Sequence, residues 1–433
     1  MTTTFLRRLD QELQAFLDEA CTRKGIAEAW VGAIDSGSTY RAFVNRGTRC
    51  DGPFEVQIGC LAKAFTATLI WQLIRDGQMR LQDAAVKFLD HGQTFAEVLE
   101  GITIEQLLNH THGLDGSSLR TAPVTADGWV DMRVLLENLH AAGRLCEPGH
   151  LYNYCGVGAF VSAAILEQVH RQPYRELLEA LLLRPLGIAL RERTDALPVP
   201  GTPSPSICPA TGGNMMVSLD DLMAFLRFHL GINAGEPANP PFTKMFAPSA
   251  PLPGWSPLEK GATCGWKDFG AGWAGQNANF PEYAFLTRIH LERGIAFVVA
   301  ARAANADATF PIMERLFGDL IPELVRLDMP TLLRQQEWAH VDQRRYIGSY
   351  RNAAQGIRIE ATPGALQLAV QNVDREQSAS FVTRKLRPAD NDIFFTQPMD
   401  REGFSFIQFL RPADGGPSEF VWNGRNLWRH ASD

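Results

Sequence analysis

At 433 residues the chain is too long for one ordinary core, so two or three domains are expected. Hydrophobic residues at 45% and charged residues at 21% exclude bulk disorder. A net charge of -7 without any Lys/Arg block argues against a nucleic-acid or anionic-membrane partner.

The opening stretch, MTTTFLRRLDQELQAFLDEA, spaces its apolar residues for an amphipathic helix over residues 5–20. It lacks the unbroken apolar run of a signal peptide, so a cytoplasmic location is expected. Residues 29–34 and 40–45 are β-prone runs split by Asp35-Ser36-Gly37-Ser38, a hairpin signal. LAKAFTATLIWQLI, residues 61–74, is apolar almost all round and predicts a buried helix. Further helices are expected at 104–108, 132–141, 157–169, 174–183 and 218–230. Residues 198–209 and 235–261 are rich in loop formers. Strand patterning returns at 283–290 and 295–301, turned at Glu292-Arg293-Gly294, and a helix is expected at 310–327. The order is strands, helices, strands, which suits an α+β domain over residues 1–330. Its antiparallel sheet is completed by both ends, with a helical region over about 61–232 inserted. After Pro330 short alternating runs at 357–361, 366–370, 393–395, 404–410 and 420–422 predict a separate small β-barrel or sandwich over 341–433.

Seven cysteines (Cys21, Cys50, Cys60, Cys146, Cys155, Cys208 and Cys264) are scattered and odd in number, with no CxxC pair. In a reducing compartment they read as free thiols rather than a disulfide frame or zinc site, and no metal or cofactor is expected. The sharpest candidate is Gly59-Cys60-Leu61-Ala62-Lys63, where a strand-like run meets the buried helix. A nucleophile at a helix start benefits from the dipole and from unpaired N–H groups that can receive an oxyanion. Lys63, three residues on, shares its helical face, and its place in an apolar helix suits proton handling. Taken alone, the string reads first as a buried thiol beside a lysine whose stem lies on apolar surface, because Cys-x-x-Lys by itself is not specific.

The stretch FEVQIGCLAKAFTATLIWQLIRDGQMRLQD resembles the class C β-lactamase, penicillin-binding protein and family VIII esterase superfamily around its Ser-x-x-Lys motif, with Cys60 where serine is usual. ITIEQLLNHTHGL is similar to the segment that follows, with His112 at a customary serine. GRLCEPGHLYNYCGVGAFVSAAILEQV resembles the Tyr-x-Asn region, with Tyr154 as the tyrosine and Gly156 in the asparagine's place. ATGGNMMVSLDDLMAFLRF also matches the family. GWAGQNANF falls on the third motif, where Trp273-Ala274-Gly275 stands for the Lys-Thr-Gly of β-lactamases and resembles family VIII esterases and related acyltransferases. The resemblance covers about residues 25–325, and the tail from Tyr346 is similar to the lipocalin-like appendage of some members.

This resemblance implies a β-lactamase/transpeptidase-like fold and an acyl-transferring or ester-cleaving enzyme. Cys60 would attack an acyl carbonyl, Lys63 and Tyr154 would move the proton, and the backbone N–H groups of Cys60 and Gln276 would form the oxyanion hole. Trp273, Gly275, His112 and Gly156 would contact substrate. His110 is read as structural. Loss of the third-motif lysine removes a cation for a substrate carboxylate and disfavours penicillin hydrolysis. The thioester formed on Cys60 stays activated toward amines, thiols or carbon nucleophiles, favouring transfer or condensation in secondary metabolism. The expected partners are a small-molecule acyl donor and acceptor, free or carrier-bound. Plain ester or thioester hydrolysis, and a catalytically inactive binding protein, are the alternatives.

Overall fold

The run IAEAWVGAID is apolar on both faces, as a strand covered from both sides must be. In the computed structural model it forms β1 (Ile26–Asp35), whose neighbours come from the two ends of the first domain. The structure describes residues 26–45, 48–49, 55–89, 96–116, 143–192, 215–233, 236–237, 241–256, 259–279, 283–303, 341–353, 355–372, 382–389, 392–397, 406–412, 416–423 and 427–431, and single positions 6, 140 and 210. The helices expected at 5–20, 132–141 and 310–327 lie almost wholly outside the described residues, as does the dividing segment 331–340.

β1 pairs with β2 (Ser38–Asn45), which pairs with β3 (Thr48–Arg49). β4 (Glu55–Gln57), β5 (Arg191–Glu192) and β6 (Met215–Ser218) form a small separate sheet in the order β4-β6-β5. β7 (Ile232–Asn233) and β8 (Glu236–Pro237) make a short ribbon. The remaining strands of the domain are β9 (Pro248–Pro251), β10 (Gly261–Thr263), β11 (Lys267–Gly270), β12 (Trp273–Asn279), β13 (Tyr283–His290) and β14 (Ile295–Ala303). The main sheet is nine-stranded, ordered β3-β2-β1-β14-β13-β12-β11-β10-β9. β1 lies antiparallel to β14 with Val31 opposite Val299, so the expected closure by both chain ends is present. Five of the nine strands, β3, β9, β10, β11 and β12, were not expected from the sequence. Of these, β9, β10 and β11 are short and carry Gly or Pro, and they extend the sheet beyond the third motif.

Between these ends lie α1 (Ala62–Arg75), α2 (Ile104–Leu108), α3 (Val157–His170), α4 (Tyr174–Leu178) and α5 (Leu219–His229). α1 is buried on every side, with Phe65, Leu69 and Ile70 in one continuous core with α3, α5 and the inner face of the sheet. α3 reaches α2 at Gly158, where a Cβ would stand 2.1 Å from the Leu107 carbonyl oxygen, so only glycine permits this approach. α5 is capped by Ser218, which accepts from the Asp221 N–H at 3.1 Å, while the Asp221 carboxylate accepts from the Ser218 N–H.

The tail forms a closed barrel of eight strands, β15 (Gly348–Arg351), β16 (Gln355–Thr362), β17 (Ala365–Asn372), β18 (Val382–Pro388), β19 (Ile393–Gln397), β20 (Phe406–Leu410), β21 (Phe420–Trp422) and β22 (Leu427–His430). Its interior is filled by Tyr350, Ile359, Leu368, Phe394, Phe409 and Trp428. A second apolar cluster joins Phe406, Phe420, Trp422 and Leu427 to Leu145, Cys146 and Leu151 of the first domain. Among the described residues no helix is long and apolar enough to cross a membrane.

Candidate active site

Gly59, Cys60 and Leu61 form one 3-10 turn that runs directly into α1. The turn is anchored behind by the Ile58 N–H, which donates to the Met215 carbonyl at 2.9 Å. Cys60 is a partly exposed free thiol, and no acidic residue lies in the turn to oppose a thiolate. Lys63 follows in the first turn of α1, only 8% exposed among apolar neighbours. Its ammonium Nζ lies 5.0 Å from the centroid of the Tyr154 ring. The expected first and second motifs therefore meet.

Tyr154 is delivered by two strands of loop laid side by side. α2 begins on a capping box between Thr103 and Gln106 and ends in His110, whose backbone is left-handed at φ +62. Beyond it the His110 carbonyl accepts from the Asn153 N–H at 2.8 Å, Thr111 from Gly149 at 2.7 Å and Gly113 from Leu145 at 2.8 Å. These bonds hold residues 145–153 against 110–113 and seat Tyr152 and Tyr154 beside the His110 ring, with centroids 5.9 and 4.6 Å away. His110 is held neutral: burial lowers its pKa well below the ordinary value, and the charges of His112, Lys63 and Lys267 act the same way. Tyr152 is 2% exposed, and its hydroxyl has no hydrogen-bond partner among the described residues. Burial raises its pKa well above the usual phenol range, helped by Glu259, Cys155 and Cys60.

His112 corrects an expectation. Expected either as a substrate contact or as a satisfied structural histidine, it is fully buried, which favours the structural role. Its Nδ1 accepts from the Leu114 N–H at 3.1 Å, which puts the ring proton on Nε2, 3.4 Å from the Cys155 sulfur. Burial pushes His112 down to about 4 and the Cys155 thiol up to about 12. The pair is thus a neutral imidazole and a protonated thiol that tie the 110–116 loop to the start of α3. Gly156 is the N-cap of α3 and brings no side chain to the site.

The third motif also departs from expectation. Along β12 the side chains alternate, and Ala274 and Ala278 join the core shared with α1. Trp273 points to the other face, 1% exposed, edge-on to His290 at 5.1 Å and against Phe297 at 5.6 Å. A tryptophan so placed is a packing residue and does not wall an acyl pocket beside Cys60. Gly275 shares that outer face; a Cβ there would stand 2.1 Å from the Thr287 carbonyl oxygen and 3.0 Å from the Arg288 guanidinium. Its smallness serves the approach of β13 and Arg288. Arg288 is itself buried, donates to Asn277 Oδ1 at 2.8 Å and lies 3.5 Å over the Phe269 ring. Burial lowers it to about 9, while Glu259 acts in the opposite sense. The Gln276 N–H, expected in the oxyanion hole, donates to Thr287 Oγ1 at 3.2 Å, so in this state it is directed at the neighbouring strand.

The cation missing from the third motif is supplied one strand away. A tight reversal through Gly270, Ala271 and Gly272, all with positive φ, brings Lys267 of β11 opposite Gly275. Its ammonium lies 4.6 Å from the Tyr154 ring centroid and is ion-paired with Glu259, both side chains largely buried. The expectation of a site without a cation at this edge is therefore corrected. The signal was present in the sequence as a Gly-Ala-Gly turn between KDF and WAG, which fixes the register that pairs Lys267 with the motif. Among the described residues no cluster of His, Cys, Asp and Glu is arranged to hold a metal ion. Two ammoniums meet at the Tyr154 ring, one of them three residues along from a thiol at a helix start, a set suited to covalent acyl chemistry.

Comparison with known proteins agrees with this geometry. The chain is 26% identical over 308 residues to penicillin-binding protein 4 of Amycolatopsis lactamdurans, covering 63% of this chain and 78% of that one. The crystal structure of SurE with D-Leu superposes with a TM-score of 0.73 at 20% identity, covering 98% of this chain and all of the other. The D-amino acid amidase of Ochrobactrum anthropi SV3, complexed with L-phenylalanine amide, gives a TM-score of 0.56 at 18% identity over 73% of this chain and 99% of its own. At these identities the two solved structures establish the fold. The family model described as Beta-lactamase matches residues 9–318, and the chain belongs to that family.

Proposed function

We propose that the protein is an acyltransferase or condensing enzyme that works through a thioester on Cys60. Its family makes it an acyl-transferring enzyme of the hydrolase/acyltransferase kind. The observation that carries the finer reading is the partly exposed Cys60 thiol at the start of α1, with the Lys63 ammonium one turn along and 5.0 Å from the Tyr154 ring. In this reading the Cys60 sulfur attacks the acyl carbonyl and a C–S bond forms. The thiol proton passes through the Lys63–Tyr154 pair to the leaving alcohol or thiol as its bond to the acyl group breaks. An amine, thiol or carbon nucleophile then takes the acyl group, the C–S bond breaks, and the acceptor's proton returns to sulfur.

The acyl group is proposed to be neutral and the donor a small ester or acyl thioester, free or carrier-bound. Lys267 does not reverse that preference, because its ammonium is already engaged by Glu259 rather than held open for a substrate carboxylate. Penicillins should therefore be turned over poorly. The test is a comparison of Cys60→Ala and Cys60→Ser with the parent enzyme on short-chain p-nitrophenyl esters, acyl thioesters and a penicillin, with and without an added amine. Cys60→Ala should abolish turnover. Cys60→Ser should survive with hydrolysis gaining on transfer, since an oxygen ester is the poorer acyl donor. Full activity in Cys60→Ala would move the nucleophile elsewhere, a parent protein without turnover would leave the binding-protein reading, and an unchanged product ratio with amine would favour plain hydrolysis.

A further inference from the structure

Two ammonium groups from unrelated elements approach one phenol ring. Lys63 comes from α1 and Lys267 from β11, with Nζ atoms 5.0 and 4.6 Å from the Tyr154 ring centroid. Like charges repel, so gathering two beside a neutral ring is poorly explained by the ring quadrupole alone. A phenolate, or a thiolate next to it, attracts both. We infer that Lys267 is a positioning residue for the reaction: a second ammonium that favours the form of the Cys60–Tyr154 pair that has lost its proton, with Glu259 setting how much of that charge the pair feels. This rests on the acyl-cysteine reading above.

The groups facing Tyr154 can be named from each side. α1 presents Lys63, three residues along from Cys60; β11 presents Lys267, with Glu259 paired to it. The loop after α2 presents the His110 ring at 4.6 Å, and the tyrosine's own segment carries Tyr152 and Cys155. His110 and Cys155 are uncharged at neutral pH for the reasons given above, which leaves Lys63, Lys267 and Glu259 as the other side chains named here that can carry charge. Arg288 is the next charge outward, felt through Glu259. Removing the Lys267 charge makes the pair hold its proton to higher pH; removing the Glu259 charge strengthens Lys267 and does the reverse. A purely structural ion pair predicts no such opposition, because breaking it from either end loosens the same contact.

The experiment is the rate of Cys60 alkylation by iodoacetamide against pH in the full-length protein, read by peptide mass spectrometry so that Cys155 is scored separately. Lys267→Met should move the rising limb to higher pH by about one unit, the lower end for a charge removed at this range. Lys267→Arg should restore it, and Glu259→Gln should move it to lower pH. Coincident limbs for Lys267→Met and the parent overturn the inference. So does movement of Lys267→Met and Glu259→Gln in one direction, or a Lys267→Arg variant that behaves like Lys267→Met, which marks packing rather than charge. The parent reading is judged apart from this by ester turnover in Cys60→Ala: turnover that persists there removes both, whereas turnover lost there with unmoved limbs removes only the role of Lys267.

Discussion

His229 sits in a cage of Phe225, Phe228, Phe242, Phe246 and Trp266, with Nε2 3.2 Å from Thr68 Oγ1. Thr68 already donates to the Ala64 carbonyl at 2.7 Å, so it accepts from the ring, and the other nitrogen, Nδ1, is buried without a hydrogen-bond partner among the described residues. Burial lowers His229 to about 3 and His112 to about 4 from an ordinary value of 6.5. The folded protein thus keeps both rings neutral where the unfolded chain would protonate them. Stability is full above pH 6.5 and falls as pH drops toward these folded values, because the unfolded state then binds more protons. By pH 4 each ring costs on the order of 3 kcal/mol. Thermal melts between pH 7.5 and 4.5 should show this decline, and His229→Leu should flatten its slope. Parallel pH profiles for the two proteins would show that the caged imidazole is not a source of acid sensitivity. Within the site, Lys63→Ala should lower turnover at least about a hundredfold, the usual scale for a lost proton-handling group. A loss of twofold or less in steady-state assays would move that role elsewhere.

At the scale of elements, the crossing of α2 and α3 sets the distance between the loop that carries His110 and the helix that begins after Tyr154. Helix propensity favours Gly158→Ala by up to about 1 kcal/mol. The steric term opposes it, since the new Cβ would stand 2.1 Å from the Leu107 carbonyl oxygen, and overpacking of this kind costs roughly 1–3 kcal/mol. Gly158→Ala should therefore lower the denaturant midpoint; a rise would mean the helices part without cost. The long apolar elements were legible in the sequence. α1, β13 and β14 declare themselves by composition and period, and α5 by its Ser218 cap. β18 was not seen, because VTRKLRP carries three charges, of which Lys385 and Arg387 are exposed, and among its described side chains only Leu386 and Pro388 are buried. At the site the motif order identified Cys60, Lys63 and Tyr154, but position in a motif does not tell which face of β12 Trp273 occupies. Nor does it tell whether His112 is wet or buried. Lys267 was passed over for a related reason: its meaning lies in the β11–β12 register, which the Gly-Ala-Gly turn sets but which no motif match reports.

Across the whole molecule the barrel is joined to the catalytic sheet through the segments that carry the site. Leu145, Cys146 and Leu151 pack with Trp422, Phe406 and Leu427, just ahead of Tyr152 and Tyr154. Trp255, a few residues before Glu259, packs on Phe406 at 5.4 Å, and its N–H donates to Gln408 Oε1 at 2.7 Å. Asp115, three residues past His112, accepts from the Ala353 N–H of the barrel at 2.6 Å. We propose that residues 341–433 act as a buttress for the Tyr154 and Glu259 segments rather than as an independent carrier; the filled barrel interior supports this. Trp422→Ala should cost about 3–5 kcal/mol and reduce turnover together with thermal stability. Calorimetry giving two separate transitions, with turnover unaffected in Trp422→Ala, would contradict the coupling.

Covalent capture on Cys60 is the claim on which the rest depends, and intact mass spectrometry reads it directly. The parent protein, Cys60→Ala and Lys63→Ala are incubated with a panel of short-chain acyl esters and acyl thioesters and quenched in acid. The account predicts a single acyl increment on the parent, mapped to Cys60 and lost on adding an amine acceptor. It predicts slow accumulation in Lys63→Ala and no adduct in Cys60→Ala. An adduct of equal yield in Cys60→Ala, or one mapped to Cys155, would contradict it.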